Sequence, residues 1–404
     1  MSKSKVIGGT LLVSGTTIGA SLLGLPTTCA FMGFSLSMVM FVITWMIMLC
    51  TGIFFVDVTC DIRKKVNIIT MAEHTLGRWG MLVSWFSYLL LMYALVSLYL
   101  AASAPLFQDA SAYFLGITLS DSFSNFILVI LFSWVIYLGT FGVDMINRVL
   151  MVGLVLSYIV LAWALPSHIE WVNLQHYSAD VFFYALPVII TGFGYHIIIP
   201  TLGTYMDYDR RLMIYSVVIG SVIALLINVY WQFLVLGAMP LSLLSQVWKE
   251  GAPITQALAS IVRSPSISAG VYFFSFFAIL TSFLGVGLSL ADFLIDGLKI
   301  KKGWEGRLLA VVLTFIPPLI FVNVYPGGFM LALQYGGAFI AVILIFIPAA
   351  MVWNLKGHPF YRSLLGKGLI GLITVFAISV IVVNILIRWD FFTSSLERIG
   401  GLLS

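Results

Sequence analysis

Two short runs of small and polar residues interrupt apolar stretches of this chain: Gly15-Thr16-Thr17-Ile18-Gly19 and Thr191-Gly192-Phe193-Gly194-Tyr195-His196. Inside a bilayer the backbone must pair its own N–H and C=O groups, so a glycine-broken helix persists there only where something else occupies the freed groups. The amides that open a half-helix carry partial positive charge and suit a carboxylate. Unwound carbonyls suit an ammonium group. The first break offers the former through Gly15, Thr16, Thr17, Ile18 and Gly19. The second offers the latter through Thr191, Gly192 and Gly194, with Phe193 and Tyr195 available as an aromatic wall. Together they match a zwitterion such as an amino acid. The competing readings are a glycine-lined helix contact for the first run and ordinary packing for each aromatic ring. The presence of a partner break favours a binding site.

Other residues add candidate chemistry. His196 is the only histidine well inside an apolar stretch and is a candidate for proton coupling, against the alternative of a neutral ring pinning the break. Thr281 and Ser282 precede Gly285 and Gly287. Their hydroxyls beside the first break would give oxygen ligands for sodium, or would bond their own helix. Tyr88 is a further pocket candidate. Asp57, Asp292 and Asp296 fall near helix ends, where gating or structural ion pairs are expected. Asn228 and Gln232 lie one turn apart, where interhelical bonding is the default. The phosphate-binding loop Gly-x-x-x-x-Gly-Lys-Ser/Thr, the metalloprotease motif His-Glu-x-x-His and the hydrolase elbow Gly-x-Ser-x-Gly are all missing. No enzymatic chemistry, cofactor or metal is expected, and an ion gradient is the remaining energy source.

The elements that must position these residues follow from composition. The 404 residues are 61% hydrophobic and 9% charged, with mean hydropathy +1.10, against roughly 25% charged in soluble domains. Eleven apolar stretches are long enough for spanning helices, at about 6–30, 34–60, 81–107, 124–141, 149–166, 180–205, 212–238, 268–297, 308–323, 330–354 and 368–389. The first is too long for a signal-peptide core and another span follows it at once. With the N-terminus cytoplasmic, all Lys and Arg except Lys249, Arg263, Arg388 and Arg398 fall on the inside. The C-terminus is then periplasmic. The net charge of +4 therefore reads as topology, with no nucleic-acid partner. Cys29, Cys50 and Cys60 support neither a disulfide framework nor a zinc site.

Five spans in each half make the second set insert inverted, and each break falls in the first helix of its set. The longest connection follows the second helix in both, at 61–80 and 239–267. The expectation is a single all-α domain over 1–404, with repeats over about 6–166 and 180–354 and an extra helix at about 368–389.

Three segments also resemble a known family. Val13-Ser-Gly-Thr-Thr-Ile-Gly-Ala-Ser-Leu-Leu-Gly-Leu-Pro26 is similar to the first helix of bacterial aromatic amino acid permeases, which usually read A/S-G-T-x-I-G-A-G-M-L-x-x-P there. Ala185 to Pro200 resembles their sixth helix and Thr281 to Gly297 their eighth. The resemblance implies an inner-membrane proton symporter of the amino acid/polyamine/organocation superfamily, with the leucine-transporter-type inverted-repeat fold and tyrosine or a related aromatic amino acid as substrate. It places the substrate backbone against Thr16, Thr17, Ile18 and Gly19 and against Thr191, Gly192 and Phe193. Ser21 stands where relatives often have glycine, and Ile197-Ile198 replaces a smaller, more polar pair. Both departures reshape the site.

Overall fold

The computed structural model describes residues 2–399 except 18, 65, 138–139, 252, 262–264, 302, 326–327 and 356–357. It is helical throughout, with no strand among the described residues. Among the described residues nine helices are long and apolar enough to cross a membrane, and a bent pair at the start makes up to ten.

The bent pair is α1 (Ser2–Thr17) and α2 (Ala20–Cys29), whose axes meet at 55°. α3 (Phe34–Ile62) follows a tight turn at Gly33. The turn needs glycine, because φ there is +85° and a Cβ would run into the His176 carbonyl oxygen. Next come α4 (Ile68–Leu115), α5 (Asp121–Tyr137) and α6 (Thr140–Ala164). The sixth expected span is divided into α7 (Leu186–Ile189), two 3₁₀ turns over Ile190–Phe193 and Tyr195–Ile198, and α8 (Ile199–Tyr205). α9 (Arg210–Ala238), α10 (Leu241–Glu250), α11 (Ile254–Ile261), α12 (Pro265–Gly297) and α13 (Trp304–Val324) complete the middle. α14 (Gly328–Ile340) passes through a π turn, Ala341–Phe346, into α15 (Ile347–Asn354). α16 (Pro359–Arg362), α17 (Leu364–Arg388) and α18 (Thr393–Ile399) close the chain.

Two expectations are corrected here. The connection expected over 61–80 is helical from Ile68, because the Asn67 side chain accepts a hydrogen bond from the Thr70 amide at 2.9 Å and starts a new helix. Gly77, with φ 70° and ψ −162°, then breaks that helix before its apolar part. The connection expected over 239–267 contains α10 and α11. Both are short helices with one apolar face laid against α2. At ten and eight residues both are too short to be recognised as spans, and an amphipathic helix needs only one apolar stripe.

The packing separates the helices into groups that matter for the site. α1 lies along α9, α3 against α9 and α8, α12 against α6 and α4, and α14 against α4 and α7. Gly337 of α14 sits where a Cβ would collide with the Pro187 carbonyl oxygen, so helix and broken segment touch backbone to backbone.

Candidate functional site

At the first break, hydroxyls turn back onto the end of α1. Thr16 donates to the Val13 carbonyl at 2.9 Å, Thr17 to Ser14 at 2.6 Å and Ser14 to Thr10 at 3.0 Å. Of these, the Thr17 bond occupies a carbonyl in the last turn that the ending helix leaves free, and the other two fold hydroxyls back onto the helix backbone. Gly19 then precedes α2 with extended backbone; its carbonyl accepts from the Leu22 amide at 3.1 Å, and no side chain caps the start of α2. At the second break, Thr191 donates to the Val188 carbonyl at 2.6 Å, while Gly194 departs from helical geometry between the two 3₁₀ turns. Asn228 of α9 donates to the Gly192 carbonyl at 3.3 Å and to its own Ala224 carbonyl at 2.9 Å. α9 thus holds the break open by supplying a partner that the helix no longer provides.

A cavity of about 450 Å³ lies between the breaks. Gly15, Thr16, Thr17 and Gly19 line it from the first, Thr191, Gly194 and Ile197 from the second, and Tyr88, Thr281 and Ser282 from the flanking helices. Its walls are otherwise mostly apolar, which suits a small ligand with a hydrophobic side chain. The lining continues through Leu11 and Leu12 of α1, Asn147 of α6 and Ser289 of α12. These residues fall towards the end of the bundle where α1 and α6 begin and α12 ends. At the opposite end the space is filled. Trp231 Nε1 donates to the Leu22 carbonyl at 2.6 Å, and the Phe31 ring meets Trp248 edge-on at 5.2 Å.

Several expected residues lie elsewhere. Gly192 is turned towards Leu25 and Asn228. Phe193 is fully buried and packs edge-on against Phe41, so it provides no cavity wall. Tyr195 is also buried, with its hydroxyl donating to the Met48 carbonyl at 3.1 Å. His196 stacks on Tyr195, meets Phe55 edge-on, and shares a 2.9 Å hydrogen bond between Nε2 and Thr51 Oγ1. The 3₁₀ turn explains this division: with three residues per turn, Gly194 and Ile197 face the cavity while Tyr195 and His196 face α3. Ile18 lies outside the described residues, as does the side chain of Ser21.

The carboxylates also separate. Asp292 and Asp296 are exposed near the end of α12, away from the cavity, with no ion pair among the described residues. Asp57 is 1% exposed and takes Arg210 Nε at 2.5 Å and Nη2 at 3.2 Å, a two-point contact, while the Tyr361 hydroxyl donates to its Oδ2. Burial, reinforced by the neighbouring carboxylate, pushes the Tyr361 phenol up from its ordinary value, so it remains a donor. This cluster joins the end of α3, the start of α9 and α16 at the end where α1 begins. Nearby, Lys5 and Asp207 pair at 2.6 Å.

Sequence reasoning missed Tyr99 and Asn147. Tyr99 lines the cavity, and its hydroxyl would lie 4.0 Å from a Cβ on Gly19. Asn147 also lines it, and its buried Oδ1 has no hydrogen-bond partner. An amide inside an apolar helix was the available signal for Asn147. For Tyr99, one of 17 tyrosines, there was none.

The tryptophan/tyrosine permease family model matches residues 2–384, nearly the whole chain. The chain belongs to the tryptophan/tyrosine permease family. Tyrosine-specific transport system 1 of Haemophilus influenzae is 32% identical over 389 residues, covering 95% of this chain and 96% of that protein. Tyrosine-specific transport system 2 of the same organism is 28% identical, covering 97% and 98%. A tryptophan-specific transport protein of Shigella flexneri is 28% identical, covering 94% and 95%. The chain is a multi-pass membrane permease and not an enzyme.

Proposed function

We propose that this permease is a secondary active transporter that imports tyrosine or a related aromatic amino acid with protons, by alternating access around a midplane site. The observation that carries the reading is the cavity bounded by both helix breaks in a chain of this family. Uncapped amides at the start of α2 would receive the carboxylate, while carbonyls near Thr191 and Gly194 would receive the ammonium group. The apolar lining and the rings of Tyr88 and Tyr99 would surround the aromatic side chain. Asn147, whose buried Oδ1 has no partner, would have to turn towards the cavity to accept from a donor on that ring.

We read the architecture as eleven spans in the 5+5 inverted repeat of the leucine-transporter type plus one extra helix. α5, at 17 residues, would count as the fourth span. Supporting this, contacts such as Asp57 with Arg210 and Tyr361 gather segment ends that alternating spans would bring to one side. Because the basic residues concentrate on that side, we read it as the cytoplasmic face of a bacterial inner membrane, with the C-terminus periplasmic. On this reading the cavity, which continues towards Leu11, Asn147 and Ser289, would open inward.

Tyrosine uptake into membrane vesicles under an imposed proton gradient tests the reading, with tryptophan, phenylalanine, serine and leucine as competitors. Concentrative uptake blocked best by aromatic amino acids is expected. Preference for serine or leucine would overturn the substrate, and accumulation driven only by sodium would overturn proton coupling. The sodium alternative rests on Thr281 and Ser282, which line the cavity beside Gly19.

A further inference from the structure

A second cavity of about 370 Å³ lies at the other end of the bundle, between α10, α14, α17 and α18. Its size falls within the roughly 300–1,000 Å³ of ligand sites. Its lining differs from that of a packing defect, because charges of both signs meet aromatic and apolar surface. Lys249 and Glu250 come from the end of α10, Asp390 follows α17, and Met330, Phe392 and Leu396 form the apolar part. The two carboxylates are held in place: Gln246 Nε2 donates to Glu250 at 3.0 Å, and the Thr393 hydroxyl donates to Asp390 Oδ1 at 3.2 Å. Lys249 has no ion pair among the described residues.

Tyr184 and Trp248 also line this cavity, and they belong to the closure over the first one. Trp248 Nε1 donates to the Tyr184 hydroxyl at 2.6 Å, Gln334 Nε2 reaches the same oxygen at 3.4 Å, and both rings meet Phe31, just beyond α2. A ligand here would join α10, α14 and the α17–α18 corner while the Tyr184–Trp248 contact is made.

Resting on the transport reading above, we infer that this outer cavity is a second, weaker site for a zwitterionic aromatic amino acid. Lys249 takes the carboxylate, Asp390 or Glu250 takes the ammonium group, and the ring lies on Phe392 and Trp248. Because occupancy favours the arrangement in which the outer end is closed, an external excess of substrate slows its own uptake.

Equilibrium binding of labelled tyrosine to the purified full-length protein, together with initial uptake rates over a wide range of external tyrosine, tests the inference. Wild type is expected to bind in two classes and to show reduced rates at high external concentration. Lys249→Ala and Asp390→Asn, both at exposed positions, are expected to weaken the second class at least roughly ten-fold and to abolish the slowing. Both should leave the tight class and low-concentration uptake unchanged. A single binding class in a chain that transports, or two variants that retain the second class, overturns this inference alone. A chain with no uptake of any aromatic amino acid overturns the transport reading beneath it.

Discussion

Arg210 grips Asp57 at two points, although the partners differ in burial: the arginine side chain is 49% exposed and the aspartate 1%. The contact spans 153 residues and ties the start of α9 to the end of α3. Losing the arginine leaves a sealed carboxylate without its cation, whereas losing the aspartate leaves a cation that can reach water. Arg210→Ala is therefore expected to cost roughly 3 kcal/mol, clearly more than Asp57→Asn. Thermal unfolding of the detergent-solubilised protein compares them, and Asp57→Asn added to Arg210→Ala should restore much of the loss. Equal losses in both single variants would contradict the asymmetry.

Gly19 and Gly15 make a contrasting pair at the first break. A Cβ on Gly19 would stand 2.9 Å from Ser282 Oγ, whereas one on Gly15 meets only the flexible end of Met151 at 3.8 Å. Gly19→Ala is expected to weaken tyrosine binding at least roughly ten-fold while Gly15→Ala stays near wild type. Ser282→Ala in the Gly19→Ala protein should recover part of the affinity by removing the clashing atom. Binding by scintillation proximity gives the three values.

Gly337 tests the helix contact that frames the second break. A methyl group at this position would overlap the Pro187 carbonyl oxygen, and backbone cannot swing aside as the tip of a side chain can. Gly337→Ala should lower stability by roughly 1–3 kcal/mol or more. An unchanged unfolding temperature would show that α14 and α7 are not in close contact.

His196 contacts α3 and not the cavity, so any part in proton coupling must pass through Thr51 or the Gly194 turn. His196→Ala is expected to abolish pH-gradient-driven accumulation while leaving part of tyrosine exchange in proteoliposomes. Undiminished accumulation would exclude the role.

Removing the Trp231 donor loosens the closed end. Trp231→Phe keeps an aromatic ring but leaves the buried Leu22 carbonyl without its 2.6 Å bond. Cysteines introduced near Phe31 should then label faster with an impermeant maleimide, and unaltered labelling would show that this bond does not hold α2.

The helices and both breaks were legible in the sequence because they depend on local rules. A span needs a run of apolar residues, and glycine and threonine runs inside one advertise backbone groups in search of partners. Gly15 to Gly19 and Thr191 to Gly194 could be found without knowing any neighbour. The amphipathic α10 and α11 escaped because they are too short to span and their apolar face is visible only at helical period. What the tertiary structure decided was direction: the 3₁₀ winding at 190–198 sends Ile197 into the cavity and His196 away from it. It also brought Tyr99 and Asn147 to the same space as Gly19 and paired Asp57 with Arg210. Composition dictates that these helices enter a membrane, but which face each turns to its neighbour is set by packing between segments far apart in the chain.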